Sequence, residues 1–350
     1  MSSAVHSLDN CRVTMKPSPW QEVMPALPAS IRRIITGLPP DILEKLEEIR
    51  LRQNRPLILG LSGGDILPGI NGKPAVESRD WYLVTADDIQ RVTQLISGCS
   101  LYAFGDELKN GFITLPGGHR VGLTGKAVLE NGRVRTLKYI SGLNIRISRE
   151  VKGAASSLLP FIIDQRSGSV LNTLLFSPPR CGKTTMLRDI IRQLSNGIPE
   201  LNFRGVVVSV VDERSELAGC WQGIPQREVG IRTDVLDGCR KAEGMFMLLR
   251  SMAPRVIATD EIGTDEDFAA LEGVFNAGVK VLTTVHAASL AELNRRPALR
   301  NLLNMKVIER FVLLGRSKNV GTIEEIIDGR TMLPLPGKEV EQCLKYLPAL

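Results

Sequence analysis

Residues 177–185 read Ser177-Pro178-Pro179-Arg180-Cys181-Gly182-Lys183-Thr184-Thr185, between an apolar run and an amphipathic one. Glycine, lysine and a hydroxyl in that order, where a strand gives way to a helix, suit the wrapping of a triphosphate. Backbone N–H groups at a helix start face the phosphates, and the helix dipole adds to their pull. Lys183 would neutralise the β- and γ-phosphates and the Thr184 hydroxyl would ligand Mg²⁺, so ATP and Mg²⁺ are the expected ligands. The loop departs from its usual pattern at Ser177, where glycine is usual; serine fits if its backbone angles there are ordinary. Cys181 offers a thiol inside the loop, which an alkylating reagent would modify and bound ATP would protect.

The second group is Arg255-Val-Ile-Ala-Thr-Asp260-Glu261. A buried strand ending in two carboxylates places them at the carboxyl edge of a sheet, beside such a loop. Asp260 would hold Mg²⁺ through water, and Glu261 would orient and deprotonate the attacking water. Between these motifs, Val211-Asp212-Glu213-Arg214-Ser215-Glu216 ends another strand. We read it as the extra strand that separates RecA-like and AAA+ folds from kinase-like P-loop folds. Glu213 could polarise the water or sit behind the metal's ligands; a charged loop capping a helix is the plainer reading. His286, in Thr283-Thr284-Val285-His286, could sense the γ-phosphate directly or through Thr284, or serve only structure. Arg227, Arg232, Arg240 and Arg250 are candidates for an arginine finger across a subunit contact, with Arg232 and Arg227 preferred. Arg120, Arg146 and Arg149 could reach the nucleotide at a domain interface, or belong to hairpins of a domain core.

The elements that must position these groups follow from periodicity. After about residue 153 the chain has the strand–helix alternation of a parallel α/β domain. Candidate strands are 170–176, 206–211, 256–259, 279–283 and 309–314. The first four run apolar without alternation, as strands covered on both faces do. Before residue 153 the reading is α+β. Ile31, Ile34, Ile35 and Leu38 recur at helix spacing, and a second helix after Pro40 would turn Ile42, Leu43, Leu46 and Ile49 inward. Short strands and turns are expected over 55–69, a helix from Thr85, and hairpins over 111–149. The chain thus divides into a flexible leader (1–18), an α+β N-terminal domain (19–153) and an α/β, RecA-like P-loop ATPase domain (154–350).

Composition narrows the class. With 23% charged and 43% hydrophobic residues, the 350-residue chain suits soluble globular domains. The net charge of +6 is shared between both halves, so nucleic-acid binding is not expected. Cys11, Cys99, Cys181, Cys220, Cys239 and Cys343 form no Cys-x-x-Cys pair, and the histidines are His6, His119 and His286. Neither a zinc site nor a disulfide framework is indicated, and a reducing cytoplasm is the simplest compartment. No apolar stretch reaches the roughly 20 residues that cross a bilayer, so a membrane role would be peripheral.

Taken together, these motifs resemble the stage III sporulation protein AA family, within the type II/type IV secretion ATPase group. The resemblance runs from about Trp20 to Gly329. It rests on Glu48-Ile-Arg-Leu-Arg, the 111–125 stretch, the phosphate loop, Asp212-Glu-Arg-Ser-Glu216, Gly230-Ile-Arg-Thr-Asp-Val-Leu-Asp237, Arg250-Ser-Met-Ala-Pro254 and Asp260-Glu-Ile-Gly263. Ser177, and Arg240 where proline is expected, depart from the pattern. The resemblance implies an ATPase of the mother-cell cytoplasm, peripherally attached to the membrane as a hexameric ring. It would dock on channel proteins that join mother cell to forespore. Two other readings stay open: a nucleic-acid-dependent RecA-like ATPase, and an ATP-binding assembly scaffold with little turnover.

Overall fold

A computed structural model describes residues 17–97 and 111–336. The leader up to residue 16, His6, Cys11, Cys99 and Cys343 lie outside the described residues. The chain divides into two compact units, 1–148 and 149–350. This boundary precedes the expected 153/154 because the intervening residues are tied into the second unit. The Glu150 carboxylate accepts the Glu228 N–H at 2.6 Å, and Lys152 pairs with the Glu228 side chain.

The first unit opens with short helices α1 (Pro19–Glu22), α2 (Ala29–Thr36) and α3 (Pro40–Leu43), and later adds α4 (Ala86–Ser97). Its strands are β1 (Leu46–Arg52), β2 (Ile58–Leu61), β3 (Gly64–Ile66), β4 (Phe112–Leu115), β5 (His119–Glu130) and β6 (Arg133–Arg146). Among the described residues they form one antiparallel sheet in the order β3-β2-β1-β6-β5-β4. Ile31, Ile34, Ile35, Ile89 and Val92 from the helices bury themselves against Ile49, Leu51, Val121, Leu143 and Ile145.

The helix expected after Pro40 is corrected: it stops at Leu43, and Leu46 and Ile49 are strand residues. A register shift between Leu46 and Glu48 turns both inward. Leu43, Leu46 and Ile49 therefore mimic helix spacing across a short helix and a bulged strand.

The second unit begins with α5 (Leu159–Ile162), β7 (Ile163–Asp164) and β8 (Ser169–Val170). It continues with β9 (Thr173–Ser177), α6 (Lys183–Asn196), β10 (Val208–Asp212), β11 (Thr233–Asp237), α7 (Lys241–Ser251) and β12 (Val256–Thr259). The remainder is α8 (Asp265–Asn276), β13 (Lys280–His286), α9 (Leu290–Arg295), α10 (Pro297–Asn304), β14 (Arg310–Gly315) and β15 (Thr322–Asp328). The main sheet runs β11-β10-β12-β13-β9-β14-β15, parallel except for the last pair.

Alternate residues of each central strand feed two separate cores. Leu175, Val210, Ala258 and Leu282 pack with Met186, Leu187, Ile190 and Leu194 of α6. Leu174, Phe176, Val211, Ile257 and Val281 pack with Met245, Leu248, Leu271 and Val274 of α7 and α8 on the other side. Double coverage is the reason these strands read as continuous apolar runs. It also makes the unit an α/β/α layer, the RecA-like P-loop arrangement.

One topological expectation is revised. The strand lying in the sheet between the phosphate-loop strand β9 and the Asp260 strand β12 is β13, which carries His286. The Asp212 strand β10 intervenes only in sequence; in the sheet it lies on the far side of β12.

Candidate functional site

Parallel strands bring their carboxyl ends to one edge, and the chemistry collects there. Ser177 ends β9, Asp212 ends β10, Asp260 and Glu261 follow β12, and His286 ends β13. Register fixes the neighbours: Ser177 pairs with His286, and Thr259 with Thr283, so Asp260 lies beside Thr284.

The loop between β9 and α6 is shaped by two residues at positive φ, Arg180 at 62° and Gly182 at 81°. The second of these is glycine for two reasons. A side chain is strained at that φ, and a Cβ there would stand 3.2 Å from Val320 Cγ1 and 3.3 Å from Gly321 Cα. Arg316 donates to the Arg180 carbonyl through Nε, at 3.1 Å, and also through Nη2. Such a left-handed turn into a helix aims successive N–H groups at one point, and the first N–H groups of α6 have no partner within the helix. Ser177, whose φ is not among the positive ones, tolerates its side chain; its Oγ donates to the Pro178 carbonyl at 2.7 Å.

Lys183 is buried at the root of this loop. Its Nζ has three hydrogens to share among four nearby acceptors: His286 Nδ1 (2.9 Å), Ser177 Oγ (3.1 Å), Ser177 O (3.2 Å) and Pro178 O (3.4 Å). Burial pulls its pKa down, opposed by the charges of Asp260 and Glu261. An ammonium can only donate, so Nδ1 of a neutral His286 accepts and its ring proton sits on Nε2. Nε2 then donates to Glu261 Oε1 at 2.8 Å, which completes a chain from Lys183 to Glu261. The other Glu261 oxygen faces Arg214 Nη1 at 3.4 Å.

Asp260 is buried, and burial pushes its carboxyl pKa up against hydrogen bonds from two hydroxyls. Thr184 donates to Oδ2 at 2.5 Å and Thr284 donates to Oδ1. Thr284 Oγ1 also accepts the Glu261 N–H at 2.9 Å. Glu261 stands at φ 52°, a costly conformation for a non-glycine residue, and this bond helps to hold it there. A carboxylate and a hydroxyl joined in this way are hard oxygen donors that fit Mg²⁺. That ion is often held by one or two protein oxygens, the remainder coming from phosphates and water.

Glu213 shares a cleft with Asp212, Arg214, Glu216, Lys241, Asp260 and Glu261 and is ion-paired to Lys241. Asp212 is buried and accepts the N–H groups of Glu216 and Ala218, both at 2.7 Å. Burial raises its pKa. Arg188 of α6 donates to the carbonyls of Leu217 (2.5 Å) and Glu216 (2.6 Å), so the phosphate-loop helix also holds the Asp212 loop.

Among the arginine candidates, Arg232 Nη1 donates to Ser195 O (2.8 Å) and Asn196 O (3.3 Å), at the carboxyl end of α6. That end is roughly 20 Å along the helix from the phosphate loop. Arg227 is buried, and Arg240 is the residue preceding α7. Arg120 and Arg146 are partners across β5 and β6 of the first unit, with Arg120 stacked over Phe112 at 4.4 Å. Arg149 opens the second unit. Cys181 is buried, which removes it as a simple accessibility probe of the loop.

Sequence reasoning missed the partners Arg188, Lys241 and Arg316. Arg214 stood inside the quoted acidic run and could have been found; Lys241 and Arg316 reach the site only through folding.

The sheet order, the loop and the paired carboxylates define a P-loop ATPase fold. The solved ATPase DotB of Legionella pneumophila is similar with a TM-score of 0.55 at 16% identity, covering 90% of this chain and 86% of that one. DotB of Yersinia pseudotuberculosis gives 0.50 at 13%, over 85% and 78%. The chain belongs to the family described as sporulation stage III, protein AA, which matches residues 19–333. The stage III sporulation protein AA of Bacillus subtilis is 42% identical over 307 residues, 88% of this chain and 94% of that one.

Proposed function

We propose that this chain is a Mg²⁺-dependent ATPase that works at a membrane-associated, secretion-type channel during sporulation. The observation that carries the reading is the chain Lys183–His286–Glu261 beside the Thr184–Asp260–Thr284 cluster. A phosphate cradle, a hard-oxygen metal site and a carboxylate base thus occupy one sheet edge, which is more than nucleotide binding requires.

In this reading, the backbone N–H groups of residues 180–185 and the Lys183 side chain hold the triphosphate. Thr184, and Asp260 directly or through water, would hold Mg²⁺, which supplies neutralisation of phosphate charge when bound. Glu261 accepts the proton of the attacking water, and His286 orients its carboxylate while facing the phosphate end through Lys183. Arg214 steadies the second Glu261 oxygen, and Glu213 with Lys241 lines the wall of the cleft.

Family membership supports a role in sporulation; a hexameric ring in peripheral contact with channel proteins on the mother-cell side is the assembly that we propose for it. No helix among the described residues is long and apolar enough to cross a membrane, which is compatible with peripheral attachment. An assembly scaffold with little turnover is less well supported, since pure binding needs no Glu261. The test is ATP binding by calorimetry, with and without Mg²⁺, on wild type and Lys183→Ala, followed by sedimentation with and without nucleotide. Lys183-dependent binding and a nucleotide-stabilised oligomer are expected; ATP affinity unchanged in Lys183→Ala overturns the assignment of the loop.

A further inference from the structure

The β5–β6 ribbon of the first unit takes no part in the chemistry above. β4 pairs with β5 only over His119–Gly122, and β1 with β6 only over Gly142–Arg146. β5 and β6 pair with each other beyond this, out to Glu130 and Arg133. Asn131 and Gly132, at φ 51° and 74°, close the ribbon as a tight two-residue turn. The ribbon therefore continues roughly 20 Å past the last residues that a third strand covers.

Its base is anchored, whereas among the described residues its tip is left exposed. Leu137 and Ile140 pack on the core of the unit. Farther out, Leu129 faces Val134 across the strands, and these residues are 63% and 40% exposed. Tyr139 is 80% exposed at φ 50°, a strained backbone for an aromatic residue. A register shift between Thr124 and Lys126 accompanies it, and a Cβ on Gly125 would stand 2.8 Å from the carbonyls of Lys138 and Tyr139. The backbone is bulged in a way that leaves a large amphipathic ring in solvent.

Charge points the same way. Lys126 lies directly opposite Lys138, a like-charged pair that costs stability in an isolated ribbon. Residues 125–139 carry Lys126, Arg133, Arg135 and Lys138 against Glu130, four basic residues to one acidic, net +3. Exposed aliphatic residues at a tip, an exposed tyrosine and flanking cations fit the interface of an anionic bilayer, with the apolar groups among acyl chains and the cations on lipid phosphates. Single-stranded nucleic acid fits less well, because its bases call for stacked aromatic residues rather than Leu129 and Val134.

We propose that the β5–β6 ribbon is a lipid-contacting arm for anionic membrane surfaces. The test is sedimentation of the full chain with phosphatidylcholine vesicles, with or without about one third phosphatidylglycerol. Binding to the anionic vesicles is expected to be at least tenfold tighter than to the neutral ones. At about fivefold per basic residue, Lys126→Ala with Lys138→Ala should weaken it roughly 25-fold. Leu129→Ser with Val134→Ser should weaken it by about tenfold or more, with the thermal melt unchanged because both sites are exposed. A Leu129→Trp variant should show a blue-shifted emission on adding anionic vesicles. No binding to anionic vesicles, or binding that both double variants retain, overturns the proposal. Ribbon-dependent binding to single-stranded DNA that exceeds the lipid binding overturns it as well. Nucleotide turnover is not read in this assay, so its failure leaves the proposed ATPase untouched.

Discussion

Replacing Thr284 by valine keeps a β-branched residue in β13 and removes one hydroxyl from the centre of the site. That hydroxyl is fully buried; it donates to Asp260 and accepts the Glu261 N–H at 2.9 Å. A hydrogen bond to a charged group contributes about 1.5–3 kcal/mol and a neutral one about 0.5–1.5 kcal/mol. Together they come to about 2–4.5 kcal/mol, and Glu261 also loses a restraint on its positive φ. At about 1.4 kcal/mol per tenfold, full expression in the transition state caps the loss of turnover between ~30-fold and ~1,600-fold. Neither bond reaches the phosphate loop or Lys183, so binding should be spared. The assay is steady-state phosphate release beside ATP binding by calorimetry. We expect kcat to fall at least tenfold while the Kd for ATP moves less than about threefold. Equal losses in kcat and in binding would refute the separation of cradle from catalytic carboxylate. No loss at all would refute the role given to Thr284.

Gly182→Ala puts a Cβ at φ 81° and against Val320 and Gly321, at a cost of about 1–2 kcal/mol; the free loop should relax out of that conformation, so the cost falls on ATP binding, which should weaken by about 5- to 30-fold with the melting temperature nearly unchanged. Arg316→Ala frees the Arg180 carbonyl and should weaken ATP binding about fivefold, and an unaltered Kd would show that the loop holds its shape unaided. In the first unit, burial raises the Asp88 pKa, but hydrogen bonds from Thr85, Tyr82 and Ser30 outweigh it and hold the carboxyl below its ordinary 3.8. A lowered folded pKa gives stability that is present above pH 3.8 and lost as pH falls through the folded value. Protection factors at the Ala86–Ser97 amides, taken against the intrinsic rate at each pH, should therefore fall below about pH 4 in wild type, whereas Asp88→Asn is less protected at neutral pH and responds less to acid.

The two halves of the molecule differed in how much they disclosed before folding. In the second unit, strands buried on both faces must be apolar throughout, so β9, β10, β12 and β13 were visible within a few residues of their true ends. β11 and β15 escaped notice because edge strands are half exposed; Thr233–Asp237 and Thr322–Asp328 carry acidic residues that break the apolar run. In the first unit a four-residue helix followed by a bulged strand imitated one longer helix, since periodicity cannot distinguish the two over so short a span. At the site, Lys183, Thr184, Asp260, Glu261 and His286 could be singled out because local motifs place them at strand ends or at the helix start that follows one. Partners that lie outside those motifs could not. Lys241 meets Glu213 across 28 residues and Arg316 meets Arg180 across 136, contacts that exist only once β10, β14 and the loops are assembled.

The most direct test of the central claim is phosphate release from ATP by the purified chain with Mg²⁺, wild type beside Glu261→Gln. The amide keeps the size of the side chain and removes the base. The account predicts turnover in wild type that EDTA abolishes, and a loss of about 100-fold or more in Glu261→Gln with ATP binding retained. Glu261→Gln turning over as fast as wild type would contradict it.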